Sequence, residues 1–219
     1  MKFLIAFIFI VSGFTFAFGQ NEQSPVVEKE IGYKDWTYKN LKGDGSTNLR
    51  QFASGKKLVM VVYWAPWCPN WRHDVGFVQE LHNKYAKDGL AVIGVGEYDT
   101  VDKMKLNYDQ NKLTFPSVYE SSGSGERLTT VHYAHRTAAG DVRKWGSPWY
   151  VFLEPAKLPA GGDVLAAKAS VVNGELIRQD AEKFIREKLG LGAVSGLAAA
   201  GSKEIEVCEP ATPTALVKP

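Results

Sequence analysis

The amino-acid sequence predicts an α/β fold, a sandwich with a mixed central β-sheet flanked by helices. Three runs, Leu58–Trp64 (LVMVVYW), Leu90–Gly96 (LAVIGVG) and Trp149–Leu153 (WYVFL), are continuously apolar and rich in β-branched or aromatic residues, as strands covered on both faces must be. Helical periodicity follows the first run and recurs near residue 185, so strand and helix alternate along the chain. The chain of 219 residues is 45% hydrophobic and 23% charged, a globular balance that leaves room for one domain plus extras.

Taken in order, residues 36–41 and 47–52 flank the turn-rich Lys42-Gly43-Asp44-Gly45-Ser46 and read as a short hairpin. In residues 69–87, Val75, Val78, Leu81 and Tyr85 recur at spacings of three, three and four, one face of a helix. Residues 102–112 read as a helix with a thin apolar face, and 114–119 as a short extended piece containing Pro116. Residues 165–177 read as strand material turning at Asn173-Gly174. In 180–189, Ala181, Phe184, Ile185 and Leu189 share a helix face, with Gly190 where a C-terminal cap belongs.

The ends of the chain differ from its middle. Lys2 precedes an apolar stretch from Phe3 to Phe18, and Ala17-Phe18-Gly19 supplies small residues for a cut after Gly19. Residues 1–19 thus read as a secretory signal peptide, with an uncleaved N-terminal anchor as the alternative. Either way the remainder is expected to be exported, periplasmic or extracellular, without stable membrane association once the signal is cut. Residues 20–30 read as a polar lead, 31–190 as the folded domain and 191–219 as a mobile tail, small-residue and proline-rich.

A net charge of +2 gives no general reason to hold nucleic acid or an anionic membrane. Two cysteines, Cys68 and Cys208, form neither a multi-bridge framework nor a four-cysteine zinc site. Cys68 stands where the strand ending at Trp64 passes into the helix beginning at Pro69. Unpaired backbone N–H groups and the positive end of the helix dipole favour thiolate over thiol there. Pro69 fits the first helical turn, where its missing N–H costs nothing. The alternative is an inert structural cysteine.

The segment Trp64-Ala65-Pro66-Trp67-Cys68-Pro69-Asn70-Trp71-Arg72 resembles the active-site segment W-A-x-W-C-x-x-C of the thioredoxin-like superfamily, in its exported TlpA/ResA-like and redoxin (AhpC/TSA-type) branch. The resemblance runs from about Tyr33 to Leu189 and includes Gly94-Val95-Gly96-Glu97, Phe115-Pro116 and Gly146-Ser147-Pro148. It implies a thioredoxin-like sandwich and thiol–disulfide exchange with protein thiols, disulfides or small thiols, without a cofactor. Pro148 is implied as the cis-proline facing the active cysteine, and Glu97 as the acidic residue held near the thiols.

The departures matter as much. Trp71 stands where the family has its second cysteine, so a mixed disulfide at Cys68 needs an external thiol, or Cys208 folding back, to release it. A non-catalytic partner-binding module is the alternative. Peroxiredoxins place Thr or Ser three residues before their cysteine and this chain has Ala65, which argues against a dedicated peroxidase. Trp67, Trp71 and Trp149, with Ser147, are expected to be partly exposed and to form the substrate groove. His132 and His135 share metal-ligand spacing, but a copper-handling role ranks below solvated or capping histidines, and no metal site is expected. The oligomeric state is left open.

Overall fold

The computed structural model describes residues 22–192. In chain order the elements are β1 (Gln23–Ser24), β2 (Val27–Lys34), β3 (Thr37–Asn40), β4 (Ser46–Asn48), α1 (Leu49–Ala53), β5 (Leu58–Trp64) and α2 (Pro69–Tyr85). There follow β6 (Leu90–Gly96), α3 (Val101–Gln110), β7 (Ser117–Tyr119), α4 (Val131–Ala138), β8 (Trp149–Leu153), β9 (Val164–Val172), β10 (Glu175–Leu176) and α5 (Arg178–Leu189). Eight strands form one sheet in the order β2-β9-β8-β5-β6-β7-β3-β4. The β5/β6 and β6/β7 pairs are parallel and the other pairs antiparallel, so the sheet is mixed as expected.

All seven residues of β5 are buried because both faces of the sheet are covered. Leu58, Met60, Val62 and Trp64 point into a core shared with Trp71, Val75, Val78, Leu81 and Tyr85 of α2 and Ala181, Ile185 and Leu189 of α5. Val59, Val61 and Tyr63 point the other way, against Leu49 and Ala53 of α1 and Ile31 and Tyr33 of β2. At roughly 25 cal/mol per Å² of apolar surface, this two-sided burial is the main force holding the central strands. Gly190 ends α5 in the left-handed region (φ 73°), where a side chain is disfavoured, and Leu191 N–H returns to Arg186 C=O at 2.9 Å.

Four local readings change. The stretch read as a polar lead contains β1 and the first half of β2, an edge strand whose charged residues are exposed while Ile31 and Tyr33 are buried. The second hairpin arm stops at Asn48, whose side chain accepts from Gln51 N–H at 3.0 Å and caps α1. After the turn at Asn173-Gly174 the chain does not fold back on β9; β10 runs parallel to β1, pairing Gln23 with Glu175 and Ser24 with Leu176. Finally, His132 and His135 lie on α4 and are buried, not solvated. His132 shares a 2.8 Å hydrogen bond with Tyr98 Oη, and His135 Nε2 accepts from Lys34 N–H at 3.2 Å. Burial depresses both imidazoles, His135 to about 4.

The segments read as a signal peptide and as a mobile tail, with Cys208, lie outside the described residues. Among those described, no helix is long and apolar enough to cross a membrane.

Candidate functional site

β5 ends at Trp64 and the chain turns through Ala65-Pro66-Trp67 before Cys68, the N-cap of α2, starts the helix. Cys68 N–H closes this turn on Ala65 C=O at 3.0 Å, and Cys68 C=O accepts from Arg72 N–H at 3.1 Å. The sulfur makes no cap hydrogen bond of its own. It donates across the site to Ser147 C=O at 3.1 Å, and the thiol is 5% exposed.

Ser147 braces the opposing loop twice, because its hydroxyl also accepts from Ala65 N–H at 3.0 Å. The Ser147-Pro148 peptide is cis. Gly146, at φ 59°, precedes it, and a side chain there would collide with Arg136. Arg136 is fully buried and donates to Asp141 C=O (3.1 Å), Arg143 C=O (2.8 Å) and Lys144 C=O (3.2 Å), which folds the loop before Pro148 around one guanidinium. Arg143 lies closer to the thiol. It donates to Pro148 C=O at 2.9 Å and Ser147 C=O at 3.4 Å, and it grips both oxygens of Asp141 at 3.0 and 2.7 Å.

The groove expectation needs correction. Trp67, at 36% exposure, does reach the surface, packed edge-on against Trp145 with ring centroids 5.1 Å apart. Trp71 and Trp149 are completely buried. Trp71 stacks on Trp64 and donates Nε1–H to Asn107 Oδ1 at 3.1 Å, because α3 covers this side of α2. Trp149 sits in β8, sealed on both faces, and donates to Asn173 Oδ1 at 2.8 Å. Neither indole can grip a substrate.

Glu97 follows the end of β6, and its N–H donates to Trp64 C=O at 2.9 Å. Its carboxyl is buried, accepts from Ser121 Oγ and lies beside Glu120. Burial and the neighbouring Glu120 charge hold it well above the usual carboxylate range. One acidic residue that the sequence reading missed is Asp74, which is linked to Tyr150, a residue that Cys68 also influences. Its Oδ2 accepts from Tyr150 Oη at 2.7 Å and Leu176 N–H at 2.8 Å, and burial raises its carboxyl. Burial and Asp74 in turn raise the Tyr150 phenol, with a smaller contribution from Cys68. A signal was present: Asp74 lies on the inward stripe of α2 with Trp71, Val75 and Val78, where an acidic residue needs a reason.

Among the described residues, no group of three or more His, Cys, Asp or Glu side chains is arranged to hold a metal ion. Cys68 is the single cysteine described, and it is free. Its position suits attack on a sulfur presented along the Ser147-Pro148 loop.

Residues 32–137 match the AhpC/TSA family. The chain is 30% identical over 128 residues to the thioredoxin-like protein YneN of Bacillus subtilis, covering 46% of this chain and 73% of that protein. It is 27% identical over 75 residues to the thiol-disulfide oxidoreductase ResA of Oceanobacillus iheyensis, 34% of this chain and 39% of ResA. In fold it is similar to a thiol:disulfide interchange protein DsbE of Chlorobium tepidum (TM-score 0.52, 20% identity, 74% of this chain and 99% of the other). It is likewise similar to a secreted thiol-disulfide isomerase of Corynebacterium glutamicum (TM-score 0.52, 20% identity, 72% and 85%).

Proposed function

We propose that this chain, which belongs to the thioredoxin-like redoxin family, carries out thiol–disulfide exchange through one thiol, Cys68, with protein or small-thiol partners outside the cytosol. The observation that carries the reading is the seat of the Cys68 sulfur. It stands at the N-terminus of the 17-residue α2, 3.1 Å from the Ser147 carbonyl and beside Pro148, while Trp71 fills the helix position three residues on. As a thiolate, Cys68 attacks one sulfur of a disulfide and expels the other as a thiolate. Buried Trp71 offers no second thiol, so an external thiol releases the mixed disulfide. Asp74, raised by burial and linked to Tyr150, is the nearby group suited to hold or deliver the proton in these steps. Export is supported by the apolar stretch after Lys2 and the small residues before Gln20.

The 5% exposure of Cys68 favours a second reading, a partner-binding module that no longer exchanges disulfides. The two part on one experiment. The reduced full chain is incubated with a neutral small disulfide, bis(2-hydroxyethyl) disulfide, and peptide-mapped without reduction. The exchange reading predicts a mercaptoethanol adduct on Cys68 that excess thiol removes, and none in Cys68→Ser. An unmodified Cys68 in the folded chain supports the binding module.

A further inference from the structure

On the same side of the molecule as the thiol, a carboxylate sits on two donors, Arg143 and Asn70. Glu22 Oε2 accepts from Arg143 Nη1 at 2.9 Å and from Asn70 Nδ2 at 2.7 Å. Asn70 belongs to the first turn of α2, two residues after Cys68. Arg143 and the Cys68 thiol share one acceptor, the Ser147 carbonyl oxygen. The bound carboxylate is thus connected to the sulfur through Arg143 and the Ser147 carbonyl, and its side chain is 39% exposed.

The charges explain why an anion belongs there. Asp141 is buried and serves two guanidiniums, Arg143 at 2.7 Å and Arg136 at 3.8 Å. One carboxylate for two cations leaves a positive charge, and Glu22 supplies its counterion. The other acids near this cluster, Asp74 and Glu175, lie 3.2 and 3.4 Å from His73 Nδ1. Asp141 and the Pro148 carbonyl hold the Arg143 fork in place independently of Glu22, so the site keeps its shape when that carboxylate leaves.

We propose that Arg143 and Asn70 form a carboxylate subsite beside Cys68, filled by Glu22 in the free chain and by the carboxylate of a small thiol or its disulfide during exchange. This rests on the exchange reading above and names its substrate class. In the step, the Cys68 thiolate bonds to one sulfur of the disulfide, the S–S bond breaks, and the departing thiolate carries off the electron pair and takes up a proton. An external thiolate then attacks the substrate sulfur and Cys68 leaves as thiolate, so the oxidising equivalent passes from the small disulfide to the external thiol. The anchored carboxylate holds the disulfide over the sulfur in both steps.

The test compares two small disulfides, 3,3′-dithiodipropionate with its carboxylates and neutral bis(2-hydroxyethyl) disulfide, reacting with the reduced full chain carrying Cys208→Ser. The readout is the ratio of their adduct-forming rates at Cys68. Removing the competitor with Glu22→Ala raises the carboxylate-to-neutral ratio about twofold to fivefold, the size of one partly exposed charge pair. Adding Asn70→Ala or Arg143→Gln to that background lowers it again. Among the described residues Asn70 makes no other side-chain hydrogen bond, so its variant keeps the test available if the Arg143 variant misfolds. A ratio unmoved by Glu22→Ala, or both rates rising together, means that Glu22 merely covers the sulfur and overturns the subsite. If neither disulfide modifies Cys68 in any variant, the exchange reading itself fails, whereas reaction with the neutral probe and an unmoved ratio refutes only the subsite.

Discussion

Replacing Trp71 by cysteine probes fold and chemistry at once. The indole has no exposed surface, stacks on Trp64 with centroids 5.4 Å apart, and hydrogen-bonds Asn107 at 3.1 Å. Truncating a buried Trp to Ala costs about 3–5 kcal/mol through lost burial and the cavity left. The Asn107 oxygen, itself buried, then loses its donor at a further cost of about 1 kcal/mol. The sulfur of the new side chain recovers a little volume, so Trp71→Cys should lower stability by about 4 kcal/mol. The measurement is urea unfolding of the reduced full chain with Cys208→Ser in both proteins, read as the midpoint shift at constant slope. In the same variant, residues 68 and 71 stand at the N-cap and in the first turn, within disulfide reach. Reduction of insulin disulfides with a dithiol reductant should therefore rise. A stability loss below about 1.5 kcal/mol would refute the packing argument. A folded variant that forms the 68–71 disulfide without any gain in turnover would refute the claim that a missing second thiol limits the site.

Two further predictions concern buried titrating groups. The folded-state pKa of His135 lies near 4, below its ordinary value near 6.5, so the unfolded chain takes up the proton first. Stability from this group is complete above pH 6.5 and lost by up to about 3 kcal/mol as pH falls to about 4. His135→Gln keeps an acceptor for Lys34 N–H and should flatten the acid limb of unfolding free energy against pH; parallel limbs would refute the assignment. Asp74 has the opposite sign, because burial raises its folded pKa and the stability it contributes is lost as pH rises through that value. Asp74→Asn keeps an oxygen for Tyr150 and Leu176 and should be more stable than the wild type at alkaline pH, while exchange at Cys68 slows and loses one limb of its pH profile. An unchanged profile would remove Asp74 from proton transfer.

What was legible in the sequence follows from how each element is stabilised. β5 and β6 are read to the residue because both faces are buried, so their apolar runs are uninterrupted. β2 was missed because an edge strand with Glu28, Lys29 and Glu30 facing outward leaves only Ile31 and Tyr33 as an apolar signal. Cys68 and the Ser147-Pro148 loop were found from local pattern, and they meet as the resemblance implied. Trp71 was expected to be partly exposed because nothing in its own segment shows that α3 would cover it, whereas the apolar run Trp149–Leu153 already carried the signal for burial of Trp149 that the groove assignment overrode. Glu22 and Arg143 come together from positions 121 residues apart, which no motif records.

The central claim, that the fold activates Cys68 rather than merely burying it, is tested most directly by one rate comparison. The chain with Cys208→Ser is reacted with bis(2-hydroxyethyl) disulfide at one pH, once folded and once unfolded in urea, and the second-order rate of adduct formation at Cys68 is measured in each. Although folding leaves Cys68 only 5% exposed with its thiol donating to Ser147 C=O, the helix terminus predicts a folded-state rate at or above the unfolded one. A folded-state rate tenfold or more below it would show that burial outweighs the site and would contradict the account.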